Sequence, residues 1–242
     1  MDLKELENGV QPEKHWYYQS KKQPLLHYTR LLLRKVPKLT IVDVGSGSGF
    51  FARELEKEFG DRIEKVWLVD INYTPEEIAE TKDQKIEKAL FIPEKMNHAL
   101  VVLMDVLEHL ADDLDMLASI RRACEGGENY YFITVPAFQS LWSGHDDYLG
   151  HYRRYKIPML RNVVKQAGFK SGKFFYLYGA LFPLVWLVRR INNLRKKEAS
   201  SNMAPASPMV NASLLALNTA EMKVARGNKL FGVTCCSEGR IS

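Results

Sequence analysis

Cysteine is scarce, three in 242 residues, and Cys235 and Cys236 are adjacent. No spacing among them matches a zinc site or a redox pair, and an odd number does not build a disulfide framework, so no metal is expected. Charge of one sign is also lacking. Lys and Arg total 34 against 29 Asp and Glu, a formal net charge of +5. The basic residues are scattered, apart from Arg189, Arg190, Arg195, Lys196 and Lys197, so no stripe for phosphates is present and no nucleic-acid partner is expected. Long apolar runs are absent. The best, "FFYLYGALFPLVWLV" (174–188), is short for a membrane span and is broken by Gly179 and Pro183. The opening "MDLKELENGVQPEKH" is too polar for a secretory signal, which makes the cytosol the expected compartment. No internal repeat is seen.

Hydrophobic residues make up 46% of the chain, which suits a globular protein and excludes wholesale disorder. Strand and helix signals alternate. "KLTIVDVGSGSGFF" reads as a buried strand (Leu39–Val44), a glycine turn and a helix from Phe50 to Phe59 that stops at Gly60. "KVWLVD" is a second strand ending at Asp70. Thr74, Pro75 and Glu77 then open a helix with a capping box. "ALFI" (89–92) is expected as a third strand, "HALVVLM" (98–104) as a fourth and "YYFITV" (130–135) as a fifth. A helix lies between the last two. Beyond a stretch from Pro136 to Ile157 without clear period come a helix from Met159 to Gln166 and a sixth strand, "KFFYLY". A linker at 198–208, a helix opening at Ser207-Pro208 and a last strand "FGVTCC" complete the chain. This pattern predicts a doubly wound, mostly parallel seven-stranded α/β sheet. One domain over 1–242 is expected, with an N-terminal helical cap (1–36) and a helical insertion (181–228) before the last strand.

The turn Asp43-Val44-Gly45-Ser46-Gly47-Ser48-Gly49 carries the first chemical signal. Glycines let backbone approach a ligand, and the helix start behind them supplies free N–H groups and partial positive charge. The spacing is G-x-G-x-G, not the G-x-G-x-x-G of dinucleotide enzymes. Asp70 ends the next strand, where an acid accepts hydrogen bonds from ribose hydroxyls, unless it is only a turn aspartate.

Taken together, "VDVGSGSGFF", Asp70 and "MDVLEHL" (104–110) resemble the class I S-adenosylmethionine-dependent methyltransferases, in particular the type 11/12 group. "HWYYQSKKQPLLHYTRLLL" (15–33) is similar to an aromatic and basic N-terminal helix of one branch, and "GHYRRYKIPMLRNVVKQAGF" (150–169) to its segment after the fifth strand. The resemblance implies S-adenosylmethionine as cofactor. It places Gly45, Ser46, Gly47 and Gly49 against the methionine part, Asp43 on the loop and the amino group, and Asp70 with neighbouring Ile71 at the ribose. Asp105 and Val106 fall at the methionine end or the substrate entrance. The acidic residue that receives the adenine amino group in many members is not matched, and Glu94 is the nearest substitute.

"WSGHDDYLGHYRRY" (142–155) follows the fifth strand and so leaves from the carboxyl ends of the strands, where ligands bind in such sheets. Methyl transfer to a hydroxyl needs alignment and a base. His151 with Asp146 or Asp147 is the expected pair, and His145 the alternative base. Arg153 and Arg154 either hold an anionic acceptor or pair with Asp146 and Asp147 to fold the loop. Tyr155 belongs to the same group, Tyr18 to a lid with Trp16 and Tyr17, or to the core. His109 is expected as a structural residue. The segment 180–197 reads either as an interfacial helix meeting anionic lipid or as a helix covering the substrate.

The expected function is therefore O-directed methyl transfer to a small-molecule or lipid- or glycan-linked acceptor, in the cytoplasm or peripherally at the membrane. The alternatives are a nicotinamide-dependent oxidoreductase, or a non-catalytic cofactor-binding scaffold on the same fold.

Overall fold

The computed structural model describes residues 9–124, 126–194 and 207–242. The expected linker up to residue 206, and Arg195, Lys196 and Lys197 of the basic run, lie outside these residues. In chain order the elements are α1 (Trp16–Leu32), β1 (Leu39–Val44), α2 (Phe50–Phe59), β2 (Ile63–Val69), α3 (Pro75–Thr81), β3 (Ile86–Ala89) and β4 (Ala99–Met104). They continue as α4 (Asp113–Ala123), β5 (Tyr130–Pro136), α5 (Gly144–Leu149), α6 (Ile157–Gln166), β6 (Ser171–Leu177), α7 (Phe182–Leu194), α8 (Pro208–Met222) and β7 (Thr234–Arg240).

The strands form one sheet in the order β3-β2-β1-β4-β5-β7-β6. All neighbours are parallel except β7, which runs antiparallel to both β5 and β6. Every residue of β4 is buried, as strands covered by helices on both faces require. Apolar side chains divide into two large clusters, one led by Val42, Leu103 and Ile133, the other by Ile41, Leu100 and Phe132. Neighbouring residues of one strand enter opposite clusters, which is the period-2 alternation of a β-strand. Strand order reverses between β1 and β4, so the loops leaving their carboxyl ends diverge and open a crevice there.

The strand boundaries differ most from expectation at two places. The third strand is Ile86–Ala89, earlier than "ALFI", because its ladder with β2 ends at the pair Val69–Ala89. Phe91 lies beyond the ladder and is 79% exposed, so apolar character there does not mean burial. The last strand is Thr234–Arg240, later than "FGVTCC" and more polar. A strand flanked by two partners is held by backbone ladders on both edges, and Ser237 and Glu238 are buried in it despite their polarity.

Helix α1 contains Pro24, yet runs unbroken. Proline removes one ladder bond, and the loss is offset by burial of Tyr18, Lys21, Leu25, Tyr28 and Leu32, spaced along one helical face. Its first turn is anchored from far along the chain. Asn211 of α8 accepts from the Trp16 amide at 2.9 Å and donates to the Lys14 carbonyl at 2.9 Å.

Candidate functional site

The loop from β1 to α2 needs glycine for two reasons at once. Gly45 has φ +67°, and a Cβ there would stand 2.7 Å from Val106 Cγ2. Gly49 caps α2 with φ +74°, and its Cβ would stand 2.7 Å from Leu68 Cδ1. A side chain is therefore disfavoured by the backbone angle and would also push Val106 or Leu68 aside. The loop is clamped from the segment after β2. The Asp70 carboxylate accepts from the Gly47 amide at 2.9 Å and from the backbone and side chain of Asn72 at 3.0 and 2.9 Å. The Tyr73 hydroxyl donates to the Gly47 carbonyl at 2.7 Å, so its contact with Ser46 Oγ at 2.8 Å leaves serine the donor. Ile71, two residues past the end of β2, is 83% exposed, and Leu90 and Phe91, which follow β3, are exposed as well.

Beside this loop lies a cavity of about 470 Å³. Asp43, Gly45 and Ser46 line one side. Tyr17, Tyr18 and Lys21 of α1 form another, and His145, His151, Arg154, Val188 and Arg189 a third. Such a volume is of the size that small-molecule sites occupy.

At the end of β4 the backbone turns through a positive φ of 57° at Asp105, a conformation aspartate adopts more readily than most residues. The turn carries the carboxylate to Lys21, Tyr17 and Thr134. Lys21 donates to Oδ2 in a buried ion pair, Tyr17 donates to the same oxygen at 3.1 Å, and Thr134 donates to Oδ1 at 2.9 Å. Burial raises the Asp105 pKa, but the Lys21 ammonium and the hydrogen bonds outweigh it, so the carboxyl stays below its ordinary value. Burial, and then the Asp105 charge, push the Tyr17 hydroxyl well up.

The segment after β5 forms a short helix, α5, capped by Ser143 and closed by Gly150 in the left-handed region. Asp146, fully buried, is its hub. It accepts from His151 Nδ1 at 2.9 Å, from Arg154 Nε and Nη2 at 2.7 and 3.0 Å, and from the Ser143 amide at 2.9 Å. Arg189 of α7 stands 3.5 Å from the same carboxylate. Burial raises its pKa, but the His151 hydrogen bond and the two guanidinium groups prevail and hold it far below the usual carboxylate range. His145 is held neutral: burial, then Arg189, bring its pKa down to about 4.

Of the residues singled out in the sequence, Asp43, Gly45, Ser46, Asp105, Tyr18, His145, His151 and Arg154 line the cavity. Gly47, Gly49, Asp70 and Val106 support the loop, while Ile71 lies outside the cavity wall. Arg153 and Tyr155 turn elsewhere. Arg153 donates to the Ala111 carbonyl at 2.6 Å and pairs with Asp113 at 3.3 Å, and the buried Tyr155 donates to Asp113 at 2.6 Å. Both thus hold the loop against α4. Arg154 pairs with Asp146, so the loop-folding alternative describes it here. Asp147 is exposed and accepts from Trp142 Nε1 at 3.0 Å, leaving Asp146 as the histidine's partner.

Sequence reasoning did not single out Lys21, Glu108 or Tyr73, and it read Arg189 as part of a basic surface. The side chain of Arg189 is only 12% exposed and also donates to the Leu141 carbonyl. Lys21 sits one helical turn beyond Tyr17, a spacing that would have paired them on one face.

The family described as "Methyltransferase domain" matches residues 16–171. No curated protein matches the chain. An S-adenosylmethionine-dependent methyltransferase of Thermotoga maritima is similar in structure, with 14% identity, TM-score 0.50, and coverage of 94% of this chain and 93% of that one. A methyltransferase of Galdieria sulphuraria shares 15% identity with TM-score 0.50, covering 88% of this chain and 82% of the other. These likenesses concern the fold.

Proposed function

The chain belongs to the class I S-adenosylmethionine-dependent methyltransferases, and from that premise we propose that it methylates an oxygen of a small-molecule or lipid- or glycan-linked acceptor held beside His151. One observation carries this reading. His151 lines the cavity, its Nδ1 is fixed on Asp146, and its Nε2 has no hydrogen-bond partner among the described residues.

Asp146 stays ionised, so Nδ1 carries the proton and donates it to the carboxylate. Nε2 is left with its lone pair, the state a general base requires. Arg154 and Arg189 keep Asp146 from titrating and so keep the tautomer fixed. His145, neutral at pH 7 and on the same wall, is the alternative base.

The cofactor's residues fit a ligand approaching backbone closely, since Gly45 and Ser46 line the cavity beside Asp43 and Asp105. Asp43, Gly45, Ser46, Gly47 and Gly49 would hold its methionine end together with Asp105 and Val106, and Asp70 and Ile71 its nucleoside. When bound, the cofactor supplies an electrophilic methyl group on a sulfonium. The chain's own contribution is to align the acceptor oxygen and take up its proton, with alignment providing much of the acceleration.

His151→Ala is expected to lower turnover by roughly 10²–10⁴-fold, the typical worth of a positioned base. Cofactor affinity should change little, because the glycine loop and Asp70 are separate contacts. Turnover is followed as S-adenosylhomocysteine released with a panel of acceptors, and affinity by calorimetry. Joint loss of affinity and turnover would make the loop structural and the base assignment wrong. The oxidoreductase alternative is checked by thermal shift with NAD, which should leave the melting temperature unchanged.

A further inference from the structure

We propose that Glu108, His109 and His151 form a binding site for one divalent transition-metal ion on the cavity wall. The residues come from two segments far apart in sequence, the 3₁₀ turn Leu107–His109 after β4 and the loop after α5. The Tyr152 amide ties them, donating to the Glu108 carbonyl at 2.7 Å. One ligand atom from each residue lies within 4.8 Å of the others. Two imidazoles and a carboxylate suit a first-row divalent ion such as zinc, and leave coordination positions open to a further ligand.

Unmet polar atoms point to the same spot. Glu108 is fully buried and, among the described residues, neither carboxylate oxygen has a hydrogen-bond partner. The His151 side chain is 4% exposed and its Nε2 has none either. Buried polar atoms are satisfied as a rule, and each exception asks for a cause. Protonating Glu108 is no remedy, since it only adds a donor with no acceptor. A cation satisfies both residues at once.

The surroundings of His151 add a second, independent argument. A carboxylate behind the far nitrogen of an imidazole is what orients histidine ligands on metals, and Asp146 stands in that place at 2.9 Å from Nδ1. The rings of His109 and His151 meet edge to face with centroids 4.7 Å apart, close enough to serve one ion. Glu108 and His151 both line the cavity, so the ion would be reached from the acceptor's side. There it would replace Nε2 in drawing the proton of an acceptor hydroxyl away to water. That consequence rests on the acceptor reading above, whereas binding of the ion does not.

The test uses the untagged full chain, titrated with Co²⁺ followed by its visible spectrum and with Zn²⁺ by calorimetry. One equivalent is expected to bind. X-ray absorption of the wild-type zinc form should show two imidazole nitrogens and a carboxylate oxygen at about 2.0–2.2 Å, with no sulfur. Glu108→Gln, which keeps the side-chain volume, should weaken binding about ten-fold or more. His27→Ala, at an exposed histidine on α1, should not change it. Absence of saturable binding, equal binding by Glu108→Gln, or a shell of sulfur or water alone overturns the site. S-adenosylmethionine affinity, measured on the same samples, reports the fold. Failure to bind cobalt with cofactor binding intact sinks the cation site alone. Cobalt binding by the wild type that is lost in His151→Ala while turnover stays unchanged sinks the acceptor reading instead, and cobalt binding retained in His151→Ala overturns the site.

Discussion

Asp70 illustrates how a single side chain can shape a loop and keep an acceptor position spare. Its carboxylate takes the Gly47 amide and two donors from Asn72, and a carboxylate offers about four acceptor positions. It can therefore shape the glycine loop and still meet a ribose hydroxyl. Asp70→Ala is expected to weaken S-adenosylmethionine by about 1–3 kcal/mol, through the lost charged acceptor and the released Gly47 amide. Calorimetry that finds equal affinity would place the ribose contact elsewhere. Tyr73 works on the same loop through hydrogen bonds to Ser46 and Gly47. Sequence position alone gave no reason to select it, since a tyrosine after a strand is most often core.

At the scale of elements, α7 faces two ways. Leu184, Val185, Val188, Arg189 and Asn192 reach the cavity, which fits a helix covering the substrate. Trp186, Leu187 and Ile191 are exposed beside Arg190, the make-up of a helix lying at a lipid interface. Among the described residues no helix is long and apolar enough to cross a membrane. Arg189 is turned inward to Asp146, so it is withdrawn from the basic surface that the sequence suggested. We propose weak binding of this face to anionic vesicles, each remaining surface cation contributing about 1 kcal/mol at low salt. In flotation, wild type should associate with anionic more than neutral vesicles, and the Leu187→Glu variant should lose that association. Equal recovery with both lipids would leave α7 as a cover for the cavity alone.

For the whole molecule, the buried loop after β5 makes stability depend on pH. His145 has a folded pKa near 4 because burial, then the charge of Arg189, disfavour its cation more than Asp146 favours it. Unfolded histidine takes a proton at about 6.5. The unfolded chain therefore binds more protons between these values, and stability falls as pH drops through that window, by up to about 1.4 kcal/mol per unit. Asp146 acts in the same direction at lower pH. Its folded pKa is depressed, so its contribution is complete above about 3.9 and is lost in stronger acid. Urea unfolding at pH 7 and pH 5 should show a larger gap in wild type than in His145→Gln. An equal gap in both would assign the acid sensitivity to other groups.

Features set by neighbours in sequence were legible from the sequence. The capping box of Thr74 and Glu77 forms as expected, because its partners are three residues apart. The glycine loop, the ends of α2 and the buried run of β4 were readable for the same reason: turn angle, capping and periodicity are local properties. What joins distant residues was decided by the tertiary structure. Insertion of β7 between β5 and β6 depends on backbone ladders that any side chains can make. Lys21 meets Asp105 only because α1 lies across the strand ends. Arg189 reaches Asp146 only because α7 folds back over the loop. Glu108, His109 and His151 converge through one backbone hydrogen bond between segments that no sequence period relates. The glycine loop was therefore written in consecutive residues, whereas the cavity wall that carries His151 was assembled by packing, where burial and charge between remote side chains set the electrostatics.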